Sequence, residues 1–291
     1  MLKAGDIHIR DPFVLPVTGE KRYYLYGTTG EEAWTSAATG LDYYTSVDLR
    51  TWEGPYPAFS PPAGFWADRN FWAPEVHEYR GRFYMLATFK AEGVCRGTQI
   101  LAADCLEVPF LPHSQGPLTP RAWECLDGTL YVDVDNQPWM VFCHEWVQVR
   151  DGEICALPLS EDLTMAVGQP RLLFTASEAP WAKEIVSKDR RSYVTDGPWL
   201  HRLASGVLIM LWSSFSEGGY TIGVARSACG DILGPWRQQP EALYAGDGGH
   251  CMTFRAFDGR LYLALHRPNP SPCERPQFIP LRETDSTVEI G

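Results

Sequence analysis

The chain repeats one kind of segment five times: a short polar or acidic opening, then a strand-turn-strand pair finishing in bulky aliphatic and aromatic residues. The five are RDPFVLPVTGEKRYYLYGTT from Arg10, WAPEVHEYRGRFYMLATF from Trp72, LDGTLYVDVDNQPWMVFCHEW from Leu126, TDGPWLHRLASGVLIMLWSS from Thr195 and GHCMTFRAFDGRLYLALHRP from Gly249. A unit of this size cannot bury its own apolar faces, so a run of such units must stack or close on itself to form a core. Apolar residues of strand character are interrupted at Gly19 to Lys21, Arg80 to Arg82, Asp135 to Gln137, Ser205 to Gly206 and Asp258 to Arg260, where tight turns belong. A weaker repeat lies between units, near Tyr43, Ile100, Leu157 and Gly223, and reads as a third strand, a surface turn carrying an Asp, and a fourth strand. Four strands in about 50 to 70 residues predict an all-β chain. The expected fold is a five-bladed β-propeller, with four-stranded antiparallel blades around a central channel and residues 1–291 as a single domain.

Composition narrows the partners. Twenty-three Pro and 26 Gly are spread along the chain rather than pooled, which fits many turns and no linker. No window has a sustained helical period or the length of apolar sequence that spans a membrane, so no membrane partner is expected. A net charge of -11 disfavours nucleic acid, whose binding is driven by clustered Lys and Arg. A neutral, hydroxyl-rich ligand such as an oligosaccharide or polysaccharide suits the 13% aromatic content better, with Trp66, Trp72 and Trp181 as candidate stacking faces. The eight cysteines lack paired CxxC spacing and are expected to be free, buried thiols. The start, MLKAGDIHIRDP, has no apolar run or cleavage signature, which predicts a cytoplasmic protein.

In a propeller the innermost strands begin near one mouth of the channel, so polar residues early in different units converge there. Those positions hold Asp11, Glu75, Asp127, Asp196 and His250. Any one Asp beside Pro or Gly would ordinarily be a turn residue; recurrence at matched positions favours a shared pocket. Several carboxylates in one pocket spread their pKa values, the condition that glycoside hydrolysis needs for separate acid and base roles.

RDPFV with Asp11, WAPEV with Glu75, LDG with Asp127, and DGP with Asp196 ahead of a strand ending in WSS resemble the ordered signatures of glycoside hydrolase family 43. These are five-bladed propeller enzymes acting on arabinose- and xylose-containing polysaccharides, and the likeness runs from about Ile9 to about Asn269. The resemblance implies an inverting hydrolysis that requires no cofactor, with Asp11 as general base, Asp127 as the residue that tunes and orients the acid, and Asp196 as general acid. It also implies a structural calcium or similar cation on the axis near His250, although a hard cation prefers oxygen ligands. Trp72, Glu75, Phe13, His144 and Glu145 form the expected substrate-binding set.

The family pattern has Glu where this chain has Asp196, one methylene shorter and intrinsically slightly more acidic. Glu145, Glu178, Glu184 and Glu217 are the substitute acids to locate in the fold. Inversion needs about 6.5 to 9.5 Å between acid and base, and Asp127 should lie nearer to Asp196 than Asp11 does. Strand alternation would put Arg10 on the face opposite Asp11, as a packing or ion-pair residue. The expected activity is that of an α-L-arabinofuranosidase or endo-arabinanase. A β-xylosidase, a fructoside-cleaving propeller enzyme and a non-catalytic sugar-binding propeller are the alternatives. Residues 28–42 are an insertion that would either wall the pocket or form an ordinary surface loop.

Overall fold

The computed structural model describes residues 1–30, 33–34, 37–187 and 189–291. Five antiparallel sheets follow one another along the chain, each with its strands in sequence order, and together they form the five-bladed propeller that the repeats predict. Blade 1 comprises Ile9–Val17, Arg22–Thr29, Leu41–Ser46 and Thr51–Phe59, with Leu2–Lys3 added at its outer edge. Blade 2 comprises Arg69–Tyr79, Arg82–Ala91, Val94–Ala103 and Leu111–Pro112. Blade 3 comprises Cys125–Val132, Pro138–His144, Glu153–Pro158 and Arg171–Thr175. Blade 4 comprises Asp196–Arg202, Leu208–Ser216, Gly219–Ser227 and Trp236–Gln238. Blade 5 comprises Gly249–Arg255, Leu261–Arg267, Arg275–Glu283 and Val288–Ile290. Its two outer strands lie beyond the stretches near Tyr43, Ile100, Leu157 and Gly223 in which the weaker repeat is read.

The core lies between blade faces. Phe59, Phe71, Phe89 and Phe110 pack blades 1 and 2, Phe142, Leu86 and Ile100 pack blades 2 and 3, Phe174 and Trp212 pack blades 3 and 4, and Leu211, Val224 and Leu263 pack blades 4 and 5. Trp181, a candidate sugar platform, belongs to this core, with its ring centroid 4.8 Å from that of Trp212. All eight cysteines are free as expected, but only Cys125, Cys143, Cys155 and Cys251 are buried; Cys105, Cys229 and Cys273 are exposed.

Every inner strand is broken at the same place by a β-bulge, where the pairing with the second strand slips by one residue. The first bulge residue is Asp11, Ala73, Asp127, Gly197 or His250, and each has a left-handed backbone with φ of 53°, 45°, 56°, 50° and 46° respectively. The second is Pro in three blades (Pro12, Pro74 and Pro198). A proline is tolerated in these inner strands because a bulge residue has no ladder hydrogen bond to lose.

A bulge leaves its own N–H without a ladder partner, and a buried N–H must find another. Each is met by the neighbouring blade. Ala73 N–H donates to Thr28 Oγ1 (2.8 Å), Asp127 N–H to Thr88 Oγ1 (3.0 Å), His250 N–H to Ser213 Oγ (2.8 Å) and Asp11 N–H to His266 Nδ1 (3.2 Å). These four acceptors occupy one equivalent position, the second-strand residue paired with the residue before the bulge.

Blades 5 and 1 close the ring through packing of their inner strands and through a buried polar cluster. Arg10 Nη1–H donates to Glu274 Oε1 (2.8 Å) and to the Asn269 carbonyl (2.7 Å), while its Nη2–H donates to Asn269 Oδ1 (2.8 Å). His8 Nε2 lies 3.1 Å from Glu274 Oε2, and the Glu274 side chain is fully buried. Burial pushes the Glu274 carboxyl up, but the hydrogen bonds from Arg10 and His8 outweigh it and hold the group below its ordinary value. Glu274→Ala should therefore lower the unfolding free energy by about 3–5 kcal/mol, the cost of orphaning a buried partner, read from urea denaturation at neutral pH. Because the folded pKa is depressed, this contribution is present above the unfolded value and is lost as pH falls through the folded one. The gap between wild type and variant should close on acidification.

Candidate active site

A cavity of about 270 Å³ opens where the bulges meet the channel mouth, and Asp11, Asp127, Asp196 and His250 all line it. The bulge explains why. On a regular strand consecutive side chains face opposite ways, but a left-handed residue re-aims the chain, so Arg10 and Asp11 share the cavity, as do Leu126 and Asp127. Arg10 is thus the ion-pair residue expected, though not on the face expected.

The acids are not at equivalent positions. Asp11, Asp127 and His250 are first bulge residues, whereas Asp196 precedes its bulge and corresponds to Arg10, Trp72, Leu126 and Gly249. Glu75 comes after its bulge, paired with Leu86, and does not line the cavity. Its carboxylate is buried and meets His77 Nε2 at 3.0 Å. Phe13 is also absent from the wall and packs against His77 and Trp199, at ring separations of 5.3 and 5.7 Å. His144 is a packing residue rather than a wall residue: its nitrogens contact Glu153 Oε2 (2.7 Å) and Gln148 Oε1 (2.8 Å), and its ring stacks on Trp123 at 4.2 Å.

Trp72 and Glu145 do line the cavity. The Arg96 guanidinium lies 4.5 Å from the Trp72 ring centroid and forms an ion pair with Glu145. Trp34 stands beside Trp72, with centroids 4.6 Å apart, and Arg10 lies over its ring at 5.1 Å. Trp34 belongs to the 28–42 insertion and contributes to the wall; residues 31, 32, 35 and 36 of that segment lie outside the described residues. Of the other substitute acids, Glu178 accepts the Thr175 N–H, Glu184 pairs with Arg191 and Glu217 pairs with Lys183, all on the exposed surface. Trp146, Phe215, Tyr220 and Asn269 are wall residues that the sequence did not single out; none belongs to the repeated opening. Trp66 is not in this cavity and donates its indole N–H to Gln99 Oε1 at 2.6 Å.

The polar groups form a chain across the floor. Thr28 donates to Asp11 Oδ2 (2.8 Å), and Asp11 Oδ1 meets His250 Nδ1 (3.1 Å). His250 Nδ1 is also 3.5 Å from Asp127 Oδ2, which accepts the Gly197 N–H (3.0 Å). Asp196 Oδ2 accepts the Tyr220 hydroxyl proton (2.9 Å). Gly197 is required by this closeness: a Cβ there would lie 2.8 Å from the His250 ring.

Burial and charge separate the proton affinities. Burial works to raise Asp11, but the His250 charge and hydrogen bond, with Arg10 and His266, hold it well below the carboxylate range. Burial pushes Asp127 up to about 6; His250 and the Gly197 N–H oppose, and Asp11 adds to the rise. Burial and then the Asp127 charge push Asp196 up to about 7 against the Tyr220 hydrogen bond, and Asp127 acts on it more strongly than Asp11 does. Glu145 is also raised to about 7, by burial, with Arg96 opposing. Burial would discharge His250, yet Asp11 and Asp127 push it up to about 10. His266 is lowered to about 3 by burial and the Arg10 charge, so it is neutral, with a lone pair at Nδ1 for the Asp11 N–H.

Residues 6–284 match the family model described as glycosyl hydrolases family 43. The fold is similar to the crystal structure of an endo-arabinase from Bacteroides thetaiotaomicron VPI-5482, with 43% sequence identity, 98% of each chain covered and a TM-score of 0.91. The extracellular exo-alpha-(1->5)-L-arabinofuranosidase ArbA of Cellvibrio japonicus (strain Ueda107) is 21% identical over 90% of this chain and 80% of its own length. The extracellular endo-alpha-(1->5)-L-arabinanase 1 of Bacillus subtilis (strain 168) is 23% identical over 124 residues, 38% of each chain.

The raised Asp196 has a consequence for stability. An acid with a raised folded pKa contributes stability below its unfolded value, and that stability is lost as pH rises to the folded value, here between about 4 and 7. Asp196→Asn removes the titration while keeping an acceptor for Tyr220. Wild type should lose more stability than this variant between pH 4 and pH 8, as read from urea midpoints at the two values.

Proposed function

The chain belongs to glycosyl hydrolase family 43, and from that premise we propose that it cleaves α-linked arabinose chains with inversion, with Asp11 as general base, Asp196 as general acid and Asp127 as the residue that tunes and orients the acid. The family's chemistry needs no cofactor. One observation carries the assignment: three carboxylates share a cavity, and their surroundings drive the outer two in opposite directions, Asp11 towards the anion and Asp196 towards the neutral acid. The arabinan preference is supported by the names of the endo-arabinase and of the two curated relatives.

In the proposed step Asp11 accepts a proton from water as that water attacks the anomeric carbon, and Asp196 protonates the departing glycosidic oxygen on the other face. Such a step needs about 6.5 to 9.5 Å between the two carboxyls. The placing of His250 and Asp127 between them supports a separation of that kind. Asp127, kept anionic by the Gly197 N–H and by His250, raises the cost of ionising Asp196. Trp34 and Trp72, whose rings line the wall, supply apolar faces for a sugar.

Glu145 provides a second reading for the acid, since it lines the same cavity and is raised to about 7. Its ion pair with Arg96 favours a role in holding substrate rather than donating a proton. Among the described residues no group of three or more His, Cys, Asp or Glu is arranged for a metal, so a calcium or similar ion near His250 has no protein cage, and Nδ1 of His250 lies 3.1 Å from Asp11 Oδ1.

Hydrolysis of linear arabinan and of an aryl arabinofuranoside, with an aryl xyloside in parallel, tests the reading. Asp11→Asn and Asp196→Asn should each lower kcat/KM by about 10² to 10⁴, whereas Glu145→Gln should act mainly on KM. The kcat/KM of wild type should decline above about pH 7 as Asp196 loses its proton. NMR of the first-formed sugar should show the inverted anomer. A wild type as inert as Asp11→Asn would make the protein a sugar-binding propeller, and preference for the xyloside would make it a xylosidase.

A further inference from the structure

Around the channel, four of the five bulge N–H groups are taken up by a side chain of the preceding blade: Thr28, Thr88, Ser213 and His266. The fifth equivalent position, paired with Leu126, is Cys143. A thiol is a weak acceptor, and among the described residues no hydrogen bond joins it to the next blade's bulge residue, Gly197. The Gly197 N–H donates instead to Asp127 Oδ2 at 3.0 Å.

We propose that the substitution of a thiol for a hydroxyl or imidazole at position 143 makes Gly197 a positioning residue: its N–H, left without an acceptor in the inter-blade ring, is delivered to Asp127 and fixes that carboxylate beside Asp196. This deepens the catalytic reading above and rests on it. The same backbone group carries both jobs, because Gly197 directly follows Asp196; the bond that holds Asp127 therefore also sets its distance from the acid. Among the described residues, blade 3 alone combines a bulge carboxylate with no hydroxyl or imidazole acceptor at the second-strand position for the bulge N–H that follows. Blade 1, the other blade with a bulge carboxylate, has Thr28, whose hydroxyl takes the Ala73 N–H while donating to Asp11. Asp11 thereby has no N–H from the following blade, and its charge is set by His250 and Arg10.

Restoring an acceptor tests this. In Cys143→Ser and Cys143→Thr the hydroxyl competes for the Gly197 N–H, as Thr28, Thr88 and Ser213 do elsewhere in the ring. Asp127 is faced by His250 from blade 5, Asp11 from blade 1, Asp196 from blade 4 and Glu145 from blade 3, all unchanged in these variants. Losing one charge-assisted bond should raise the apparent pKa of Asp127 by about one. Its weaker charge should then move the basic limb of kcat/KM to lower pH, lower kcat several-fold and leave KM within about twofold. Cys143→Ala, which offers no acceptor, should match wild type in all of these. The decisive measurement is the titration of 13C-labelled aspartate carboxyls by NMR, with Asp127 assigned through Asp127→Asn. It is read on the folded protein and does not require turnover. An unmoved Asp127 in both hydroxyl variants would overturn the proposal, as would an equal displacement in Cys143→Ala. If the protein proved inert on every glycoside, the carboxyl titration would still decide the inference while the catalytic reading fell.

Discussion

The left-handed bulge on each inner strand is the constraint on which both the fold and the site depend. A β-strand presents alternate residues to alternate faces, so without the bulge Asp11 and Arg10, or Asp127 and Leu126, could not face the same cavity. The conformation is costly for Asp11, Ala73, Asp127 and His250, which carry a Cβ, by roughly 1–3 kcal/mol each. It persists because the blade behind accepts the displaced N–H, and the resulting bonds link the blades around the axis. Catalytic geometry and ring closure are therefore one arrangement: the bond that satisfies an inner strand also fixes the residue that faces the cavity.

Electrostatics follow from that geometry. Two imidazoles lie within reach of Asp11, and their opposite states are set by what else they touch. His250 lies between two carboxylates and is driven to the cation; His266 is driven to neutrality by burial and then by the nearby Arg10 guanidinium. Arg10 is itself held by Glu274 and Asn269 across the blade 5 and blade 1 junction, so the charge that helps to keep Asp11 ionised is anchored in the closure of the ring.

The blades were legible in the sequence because each paired strand leaves a turn and an apolar finish, and the turns at residues 18–21, 133–137, 203–207 and 256–260 lie where the interruptions placed them. The convergence of Asp11, Asp127, Asp196 and His250 was legible as well, since recurrence survives small offsets. Register was not. Glu75, counted as an equivalent acid, lies beyond its bulge and faces His77, and Arg10 was assigned to the wrong face because alternation was assumed through a residue where it fails. Tyr220 comes from the third strand of blade 4 and Asn269 from a loop of blade 5, with no periodic signal to mark them. His144 falls near the end of an inner strand, but the chain turns into the short helix Trp146–Val149 just beyond it and sends His144 and Glu145 different ways.

The short acid is best understood through Tyr220. Asp196 stands one residue ahead of its bulge, and its Oδ2 is fixed by a hydroxyl from the third strand of its own blade. That ring reaches the carboxylate because Gly249 has no side chain; a Cβ there would lie 2.5 Å from the Tyr220 ring and 3.0 Å from Ser213 Oγ. Tyr220 also stacks on His266, with centroids 5.5 Å apart, so one ring touches both Asp196 and the residue that accepts the Asp11 N–H. Burial and the Asp127 charge raise the acid's proton affinity, whereas the tyrosine bond lowers it by stabilising the anion. The balance falls at about 7, where about half of a carboxylic acid keeps its proton at neutral pH and still gives it up readily. A carboxylate held by one oxygen keeps the other free for a proton, and the Tyr220 bond fixes the orientation of Asp196.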